Sequence, residues 1–263
     1  MEWADVMGCP VTKLDLEGFV REAERFIGLR RPHYIAVVNA AKLVSMRVDR
    51  ELDQSVRSAD LIGADGVPIV WASRLLGDPI PGRVNGTDLM VRLLEKAHEK
   101  RYRIFFFGAS PRVLDQVLAK VGRDYPGVEI GGAQHGYFSA AEEPAIVSQI
   151  QRTRSDILFI AFGTPQKELW VKRYLAAMQV PVVHGVGGSF DVLAGLIPRA
   201  PGWMQRTGLE WLFRLMQEPR RMWRRYLVTN TQFVALLARA WLARRLSWTS
   251  GLHRKRADGA TQR

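Results

Sequence analysis

Short apolar runs alternate along this chain with longer segments whose apolar positions recur at helical spacing. Residues 33–38, 103–107 and 157–162 form runs of the length and composition of buried strands. Apolar positions recur every three or four residues in 14–27 and again after Asp88, which predicts helices there. Strands that alternate with helices in this way predict an α/β fold with a Rossmann-like, mostly parallel sheet flanked by helices. We assign residues 1–198 to this domain.

Polar residues and glycines follow directly after the predicted strands. Ligands of open parallel sheets bind at the carboxyl ends of the strands. The pattern therefore predicts a cleft for a nucleotide-type ligand. The residues at these ends are Asn39, Asp65, Gly108–Ser110, His135, Gly163 to Lys167, and Gly187, Gly188 and Asp191.

The stretch from Asp65 to Asp88 carries the most specific candidate chemistry. Asp65 precedes a glycine at a strand end, where its carboxylate could act as a general base, which needs hydrogen-bond reach to the proton it removes. It could equally cap the helix that follows. Arg83, on the next loop, could bind a pyrophosphate through two N–H groups, or pair with Asp88.

Two glycine clusters, at 163–165 and 185–191, would let backbone N–H groups approach a phosphate or a sugar. Asp191 could accept a hydrogen bond from a base or ribose hydroxyl, or cap a helix. His135 and His184 could be catalytic or structural residues of turns. Neither cluster is a Walker A loop, and no GxGxxG follows the first predicted strand.

Metal and cofactor signatures are absent from the sequence. It has no HExxH, no Cys/His cluster and no Asp-x-Asp pair, so we expect neither a metal nor a cofactor. Cys9 is the single cysteine, which excludes an internal disulfide and fits a reducing compartment. No signal peptide and no window of about 18 apolar residues are evident, so we expect no membrane span.

The charge distribution separates the last quarter of the chain from the rest. Residues 199–263 carry 14 Lys and Arg against 3 Asp and Glu, whereas residues 1–198 carry 24 against 23. This asymmetry predicts an anionic partner, which could be a membrane surface, nucleic acid or phosphate. We predict one aromatic-rich helix at 202–217, a second amphipathic helix after Pro219, and a disordered basic tail at 247–263. The second helix could lie in a membrane interface or pack on the body with a solvated basic face.

Eight motifs in chain order resemble the WecG/TagA/CpsF family of glycosyltransferases, and the resemblance extends from about Cys9 to Tyr226. The motifs are VVNAAK (37–42), ADGVPIVWASRLLG (64–77), RVNGTDL (83–89), FFGAS (106–110), HGYF (135–138), FGTPQKE (162–168), GVGGSFD (185–191) and RAPGWMQRTGLEWLFRLMQEPRR (199–221).

The resemblance implies an inverting, metal-independent hexosyltransferase. It would move a hexose from a UDP-sugar donor to a polyprenyl-diphosphate-linked acceptor, peripherally on the cytoplasmic face of the cell membrane. By position, Asp65 is the expected general base, Asn39 lines its pocket, and Arg83 binds substrate phosphate. The other expected substrate-binding residues are Asn85, His135, Gly163, Lys167, Gly187, Gly188 and Asp191.

The resemblance also gives the appendage, residues 199–246, a role. Arg214, Arg221 and Arg224 are expected to close over the diphosphate, while the appendage contacts anionic lipid and completes the active site. A homo-oligomer could cover the same apolar surface. The competing hypothesis is a non-catalytic nucleotide- or nucleic-acid-binding protein with a basic tail. The aromatic character of the appendage argues against it, so we expect no nucleic-acid partner.

Two positions depart from the family's common pattern. Val37 stands where the family commonly has threonine two residues before the asparagine, so a hydroxyl contact is missing. After Pro165 the family commonly has lysine and then glutamine, whereas this chain has Gln166 and then Lys167. An ammonium therefore replaces an amide at position 167, which could indicate a different donor sugar.

Overall fold

The fold is that of a computed structural model that describes residues 1–217 and 219–260, without the side chains of 206, 214, 221, 222, 224–226 and 247–260. Eight strands alternate with helices, as predicted from the apolar pattern. They are β1 (Trp3–Val6), β2 (Cys9–Thr12), β3 (His33–Val38), β4 (Leu61–Ala64), β5 (Arg103–Gly108), β6 (Glu129–Gln134), β7 (Ile157–Ala161) and β8 (Val182–Gly185).

Twelve α-helices are present in the part of the chain that the structure describes. They are α1 (Leu16–Leu29), α2 (Ala40–Ser45), α3 (Arg50–Arg57), α4 (Val67–Leu75), α5 (Gly86–Lys100), α6 (Pro111–Asp124), α7 (Glu143–Thr153), α8 (Gln166–Met178), α9 (Ser189–Leu193), α10 (Gly202–Arg206), α11 (Glu210–Gln217) and α12 (Pro219–Ala260). A 3₁₀ turn at Ala140–Glu142 precedes α7.

Six strands form one sheet in the order β4-β3-β8-β7-β5-β6, and every neighbouring pair is parallel. The predicted α/β fold with a parallel sheet is confirmed. All residues of β3, β4 and β8 are buried, as expected when helices cover both faces of a parallel sheet. Because the strands are parallel, their carboxyl ends meet at one edge, and the polar strand-end residues lie there.

The sheet separates two apolar cores because successive side chains of a strand point to opposite faces. In β3, Tyr34 and Ala36 join the core under α2, α3, α4, α7 and α8. Ile35 joins the core under α1, α5, α6 and α9. Each face of the sheet is therefore covered by its own layer of helices. The polar strand-end residues lie at the carboxyl edge, which these layers do not cover.

An N-terminal hairpin is the element that the apolar pattern did not predict. Strands β1 and β2 pair antiparallel through a turn at Met7 and Gly8, both with positive φ (54° and 77°). A two-residue hairpin turn requires such φ values, and methionine gives no sequence signal for them. The hairpin covers the edge of β4, where the Thr12 hydroxyl accepts a hydrogen bond from the Ile62 N–H at 2.9 Å.

The first part of the appendage differs from the prediction. The single helix predicted at 202–217 is wrong, because the chain turns at Gly208 and forms two short helices, α10 and α11. An added Cβ at Gly208 would lie 2.9 Å from the Val67 Cβ, so the turn packs closely on the start of α4. The appendage therefore lies against the segment that follows Asp65.

Helix α12 packs on the body through one side only. Phe233 is buried, and Leu236, Leu237, Ala240 and Trp241 pack against the same core. Other apolar residues of this helix remain exposed, namely Leu227, Val228, Val234, Leu242 and Leu246. The apolar side predicted as one surface is thus divided between the core and the exterior. The predicted disorder of 247–263 stays a prediction; α12 extends to Ala260, and residues 261–263 lie outside the described residues.

Candidate active site

Asp65 receives hydrogen bonds from two asparagine side chains at the carboxyl edge of the sheet. Its Oδ1 accepts from Asn85 Nδ2 at 2.8 Å, and its Oδ2 accepts from Asn39 Nδ2 at 3.4 Å. All three residues are half-buried. A carboxylate has about four lone-pair positions, so two remain for another donor. The sequence placed these residues at separate strand and helix ends, and the structure brings them together.

Both asparagines are held in place because they also cap helices. The Asn39 Oδ1 accepts from the Lys42 N–H at 2.9 Å at the start of α2, and the Asn85 Oδ1 accepts from the Thr87 N–H at 2.9 Å at the start of α5. Each amide oxygen is thereby fixed on a helix N-terminus, and each NH₂ group points to Asp65. Asp65 itself does not cap α4, whose N-cap is Gly66 without a side-chain hydrogen bond.

A buried group of charges lies beside this site, and we call Lys42, Lys167 and Glu168 the charge cluster. Glu168 Oε1 lies 2.7 Å from Lys42 Nζ and 2.9 Å from Lys167 Nζ. The two lysines are 7% and 6% exposed and Glu168 is 0% exposed. Although burial raises the pKa of Glu168, the two ammonium groups lower it below its ordinary value of 4.5. The carboxylate is therefore ionised at neutral pH.

Burial also changes the pKa of Lys167. Desolvation, followed by repulsion from Lys42, lowers its pKa from 10.5 to about 8, although Glu168 and Asp65 act in the opposite direction. Since Asp65 contributes to this pKa, the charge cluster and the Asp65 carboxylate share one electrostatic environment. Lys167 is thus placed near the predicted base.

His184 lies beneath the site and is a structural residue. Its ring is fully buried, and its Nδ1 and Nε2 lie 3.2 Å from the carbonyl oxygens of Ile35 and Gly86. Burial lowers the pKa of His184, although the two carbonyl groups oppose that change. The ring joins β8 to β3 and to the start of α5, so it supports the Asn85 cap from below.

The Arg83 side chain contacts the appendage and Asp88. The Val84 N–H donates to the Ala64 carbonyl at 2.8 Å, so residues 83 and 85 flank the end of β4. Arg83 Nη1 lies 2.8 Å from Glu210 Oε2, and its Nη2 donates to Gln205 Oε1 at 3.0 Å and to Asp88 Oδ2 at 3.4 Å. The pairing with Asp88 is therefore present, together with two contacts to α10 and α11.

The predicted nucleotide loop lies between the carboxyl end of β7 and the start of α5. The Gly187 N–H donates to the Ile160 carbonyl at 3.3 Å. Ser189 Oγ and Thr87 Oγ1 are 2.7 Å apart, which connects this loop to the helix that Asn85 caps. An added Cβ at Gly188 would lie 3.9 Å from Asp191 Oδ2, so this carboxylate lies close to the loop's exposed backbone. Gly163 is exposed on the neighbouring loop after β7.

His135 is distant from the Asp65 group because of the strand order. It follows β6 at one edge of the sheet, whereas Asp65 follows β4 at the other. Five strand spacings separate these edges, roughly 24 Å at the usual 4.8 Å each. The loop of His135 instead contacts the end of β5, where the Gly136 N–H donates to the Ala109 carbonyl at 2.8 Å. Its expected substrate contact stays a prediction.

Sequence reasoning did not single out Lys42 and Glu168. Both residues stand within family-like motifs, but their charges gave no sign of burial. Arg214, Arg221 and Arg224 lie outside the residues whose side chains the structure describes. Within the described residues, no group of three His, Cys, Asp or Glu side chains is placed to hold a metal ion. No helix in that part of the chain is long and apolar enough to cross a bilayer.

Comparisons with known proteins agree with the motifs. The sequence profile of the glycosyl transferase WecG/TagA/CpsF family matches residues 4–247. A Bacillus spizizenii protein named N-acetylglucosaminyldiphosphoundecaprenol N-acetyl-beta-D-mannosaminyltransferase is 34% identical over 234 residues, which cover 87% of this chain and 90% of that protein. The protein of the same name from Bacillus subtilis strain 168 is 33% identical, with 86% and 88% covered. The chain therefore belongs to the WecG/TagA/CpsF family of glycosyltransferases.

Proposed function

We propose that this protein transfers a hexose from a UDP-sugar to a saccharide linked to polyprenyl diphosphate, in the synthesis of a bacterial surface or extracellular polysaccharide. The observation that carries the proposal is the Asp65 carboxylate, held by two helix-capping asparagines at the carboxyl edge of the sheet. The names of the two Bacillus relatives make N-acetylmannosamine the first donor sugar to test. The same names make N-acetylglucosaminyl-diphospho-undecaprenol the first acceptor to test.

The proposed reaction is a direct displacement with inversion. Asp65 removes the proton from the acceptor hydroxyl, whose oxygen forms a bond to the anomeric carbon of the donor. The bond between that carbon and the UDP oxygen breaks, and UDP leaves with the electron pair. The Asn39 and Asn85 amides orient the carboxylate but do not consume its remaining lone pairs. A fixed base of this kind lowers the barrier because no reorganisation precedes proton transfer.

Negative charge on the departing UDP requires cationic or N–H partners. The Gly187–Gly188 backbone and Asp191 are the proposed nucleotide contacts, and Arg83 is a proposed phosphate ligand. Arg83 is paired with Glu210 and Asp88, so substrate phosphate would bind its remaining N–H groups or replace one of these carboxylates. Such an exchange would couple the appendage to substrate binding. Arg214, Arg221 and Arg224 are proposed to complete the charge neutralisation.

The appendage is proposed to contact the inner face of the cytoplasmic membrane. Leu227, Val234 and Leu242 are more than half exposed on α12, and residues 199–263 carry 14 basic and 3 acidic side chains. An amphipathic, basic helix of this type binds anionic lipid through apolar area and charge together. We expect a chain cut after Pro198 to lose sedimentation with anionic vesicles. Retained sedimentation of the cut chain would contradict this part, and a stable homo-oligomer of the full chain would favour subunit contacts instead.

The reaction is tested by Asp65→Asn, which keeps the shape of the side chain but removes its basicity. We expect UDP release in the presence of donor and acceptor to fall by about 10²–10⁴-fold, as for other lost general bases. UDP binding measured by calorimetry should stay unchanged. Asp124→Asn is the matched control, because that carboxylate is exposed and pairs with Lys120 far from the site. Turnover of Asp65→Asn near the control's value would remove Asp65 from the role of base.

A further inference from the structure

Two ammonium groups share one carboxylate in the charge cluster, and the Asp65 carboxylate offsets the excess positive charge only in part, since the Lys167 pKa remains lowered. Lys42 contacts Glu168 and donates to the Val37 carbonyl at 2.7 Å, so this pair alone joins α2, β3 and α8 with its charges balanced. Lys167 adds a second ammonium to the same carboxylate oxygen. A buried charge without a counter-ion is costly, and a balanced pair would serve the packing as well. Lys167 therefore needs an explanation other than support of the fold.

The backbone is shaped to admit the Lys167 side chain. An added Cβ at Gly185 would lie 3.0 Å from its Cδ and 3.1 Å from its Cε, so the aliphatic stem lies directly on the end of β8. The ammonium then donates to the Thr164 hydroxyl at 2.8 Å, on the exposed loop after β7. The ammonium is thus bonded to the loop that follows β7, and its pKa responds to the Asp65 carboxylate.

The chemistry around this ammonium favours an anionic ligand. Glu168 Oε1 accepts from both lysines and from the Thr164 hydroxyl, so the cluster holds a single carboxylate. One carboxylate thus faces two ammoniums. An oxyanion that reached Lys167 would restore local neutrality and form a charge-assisted hydrogen bond.

We infer that Lys167 is a specificity-determining residue that binds an oxyanion of the substrate beside Asp65, either a carboxylate on the transferred sugar or a donor phosphate. The inference rests on the proposed function, and it adds the charge class of the ligand that the site selects. The glutamine amide that the family commonly has at this position could bind a neutral hydroxyl. An ammonium instead favours an acidic group.

The test measures binding of three ligands by calorimetry: UDP, UDP-N-acetylmannosamine, and its carboxylate counterpart UDP-N-acetylmannosaminuronic acid. The variants are Lys167→Gln, which removes the charge, and Lys167→Arg, which keeps it. Lys172→Gln is the matched control, since Lys172 lies exposed on the same helix and donates to Gln54. Thermal unfolding of each variant confirms that it is folded before binding is measured.

We expect Lys167→Gln to raise a Kd by about 10–100-fold, the usual effect of one charge-assisted hydrogen bond, with Lys167→Arg close to wild type. A rise in Kd for the uronate donor alone identifies the sugar carboxylate as the group that Lys167 binds. An equal rise in Kd for all three ligands identifies the diphosphate. Unchanged Kd values for all three, relative to the Lys172→Gln control, would overturn the inference and leave the proposed function standing. Failure of the wild type to bind any of the three would overturn the proposed function, and the inference with it.

Discussion

Replacing Lys167 by methionine should stabilise the protein at neutral pH. Burial lowers the Lys167 pKa from 10.5 to about 8, which corresponds to about 3 kcal/mol against its protonated form in the fold. Methionine has a similar length, fills the space above Gly185 and needs no counter-ion. We therefore expect the free energy of unfolding to rise by about 1–3 kcal/mol, or roughly 2–4 °C in Tm for each kcal/mol.

The stabilisation by Lys167→Met should depend on pH. Between about pH 8 and 10.5 the unfolded chain binds the Lys167 proton more tightly than the folded chain, so wild-type stability should rise with pH. The advantage of Lys167→Met should therefore shrink across this interval. The assay is chemical denaturation of both proteins from pH 7 to 10.5, with exposed Lys172→Met as the control, expected within about 0.5 kcal/mol of wild type. A lower free energy of unfolding for Lys167→Met than for wild type at pH 7, or a pH-independent difference, would refute the reasoning.

Three further predictions follow from the contacts of the site. Asn85→Ala should cost about 1 kcal/mol of stability, because the helix cap is lost, and should also slow transfer. Asn85→Asp should keep the cap but still slow transfer, because it sets a like charge against Asp65. Denaturation measures the effect on stability, and UDP release measures the effect on transfer. Gly185→Ala should destabilise the fold by overpacking the Lys167 stem, and Lys167→Ala should relieve this in a double-mutant cycle; purely additive effects would disprove the contact. Because burial lowers the His184 pKa below 6.5, its contribution to stability should be lost as pH falls from 6.5 through its lower pKa in the fold, and His184→Gln should flatten that slope in acid denaturation.

Individual elements show how far the sequence could predict the fold. The runs that became β3 and β7 were predicted because a buried strand needs apolar side chains on both faces, and composition records this directly. The hairpin of β1 and β2 was not predicted, since its turn places Met7 in a conformation with no residue signature. The break between α10 and α11 depends on the packing of Gly208 against Val67, a contact between distant segments.

The candidate site shows a similar division. Asp65 and Asn39 were found because each stands directly after a strand, a position that local sequence specifies. The hydrogen bond of 3.4 Å from Asn39 Nδ2 to Asp65 Oδ2 requires that β3 and β4 be neighbours, which only the tertiary structure shows. Lys42 and Glu168 appeared as ordinary charges of helix starts. Their burial depends on α2 and α8 packing together against β3, and no local pattern records that.

The sequence by itself determined the α/β class, the chain order of strands and helices, and the polar residues at the strand ends. These properties follow from periodicity and from the residue types that turns and caps require, both of which act over a few residues. Tertiary structure alone decided the strand order, which places Asp65 beside Asn39 and His135 at the opposite edge. It also decided the lowered pKa of Lys167, because the free-energy cost of burying a charge depends on the groups around it in space rather than on its neighbours in the chain.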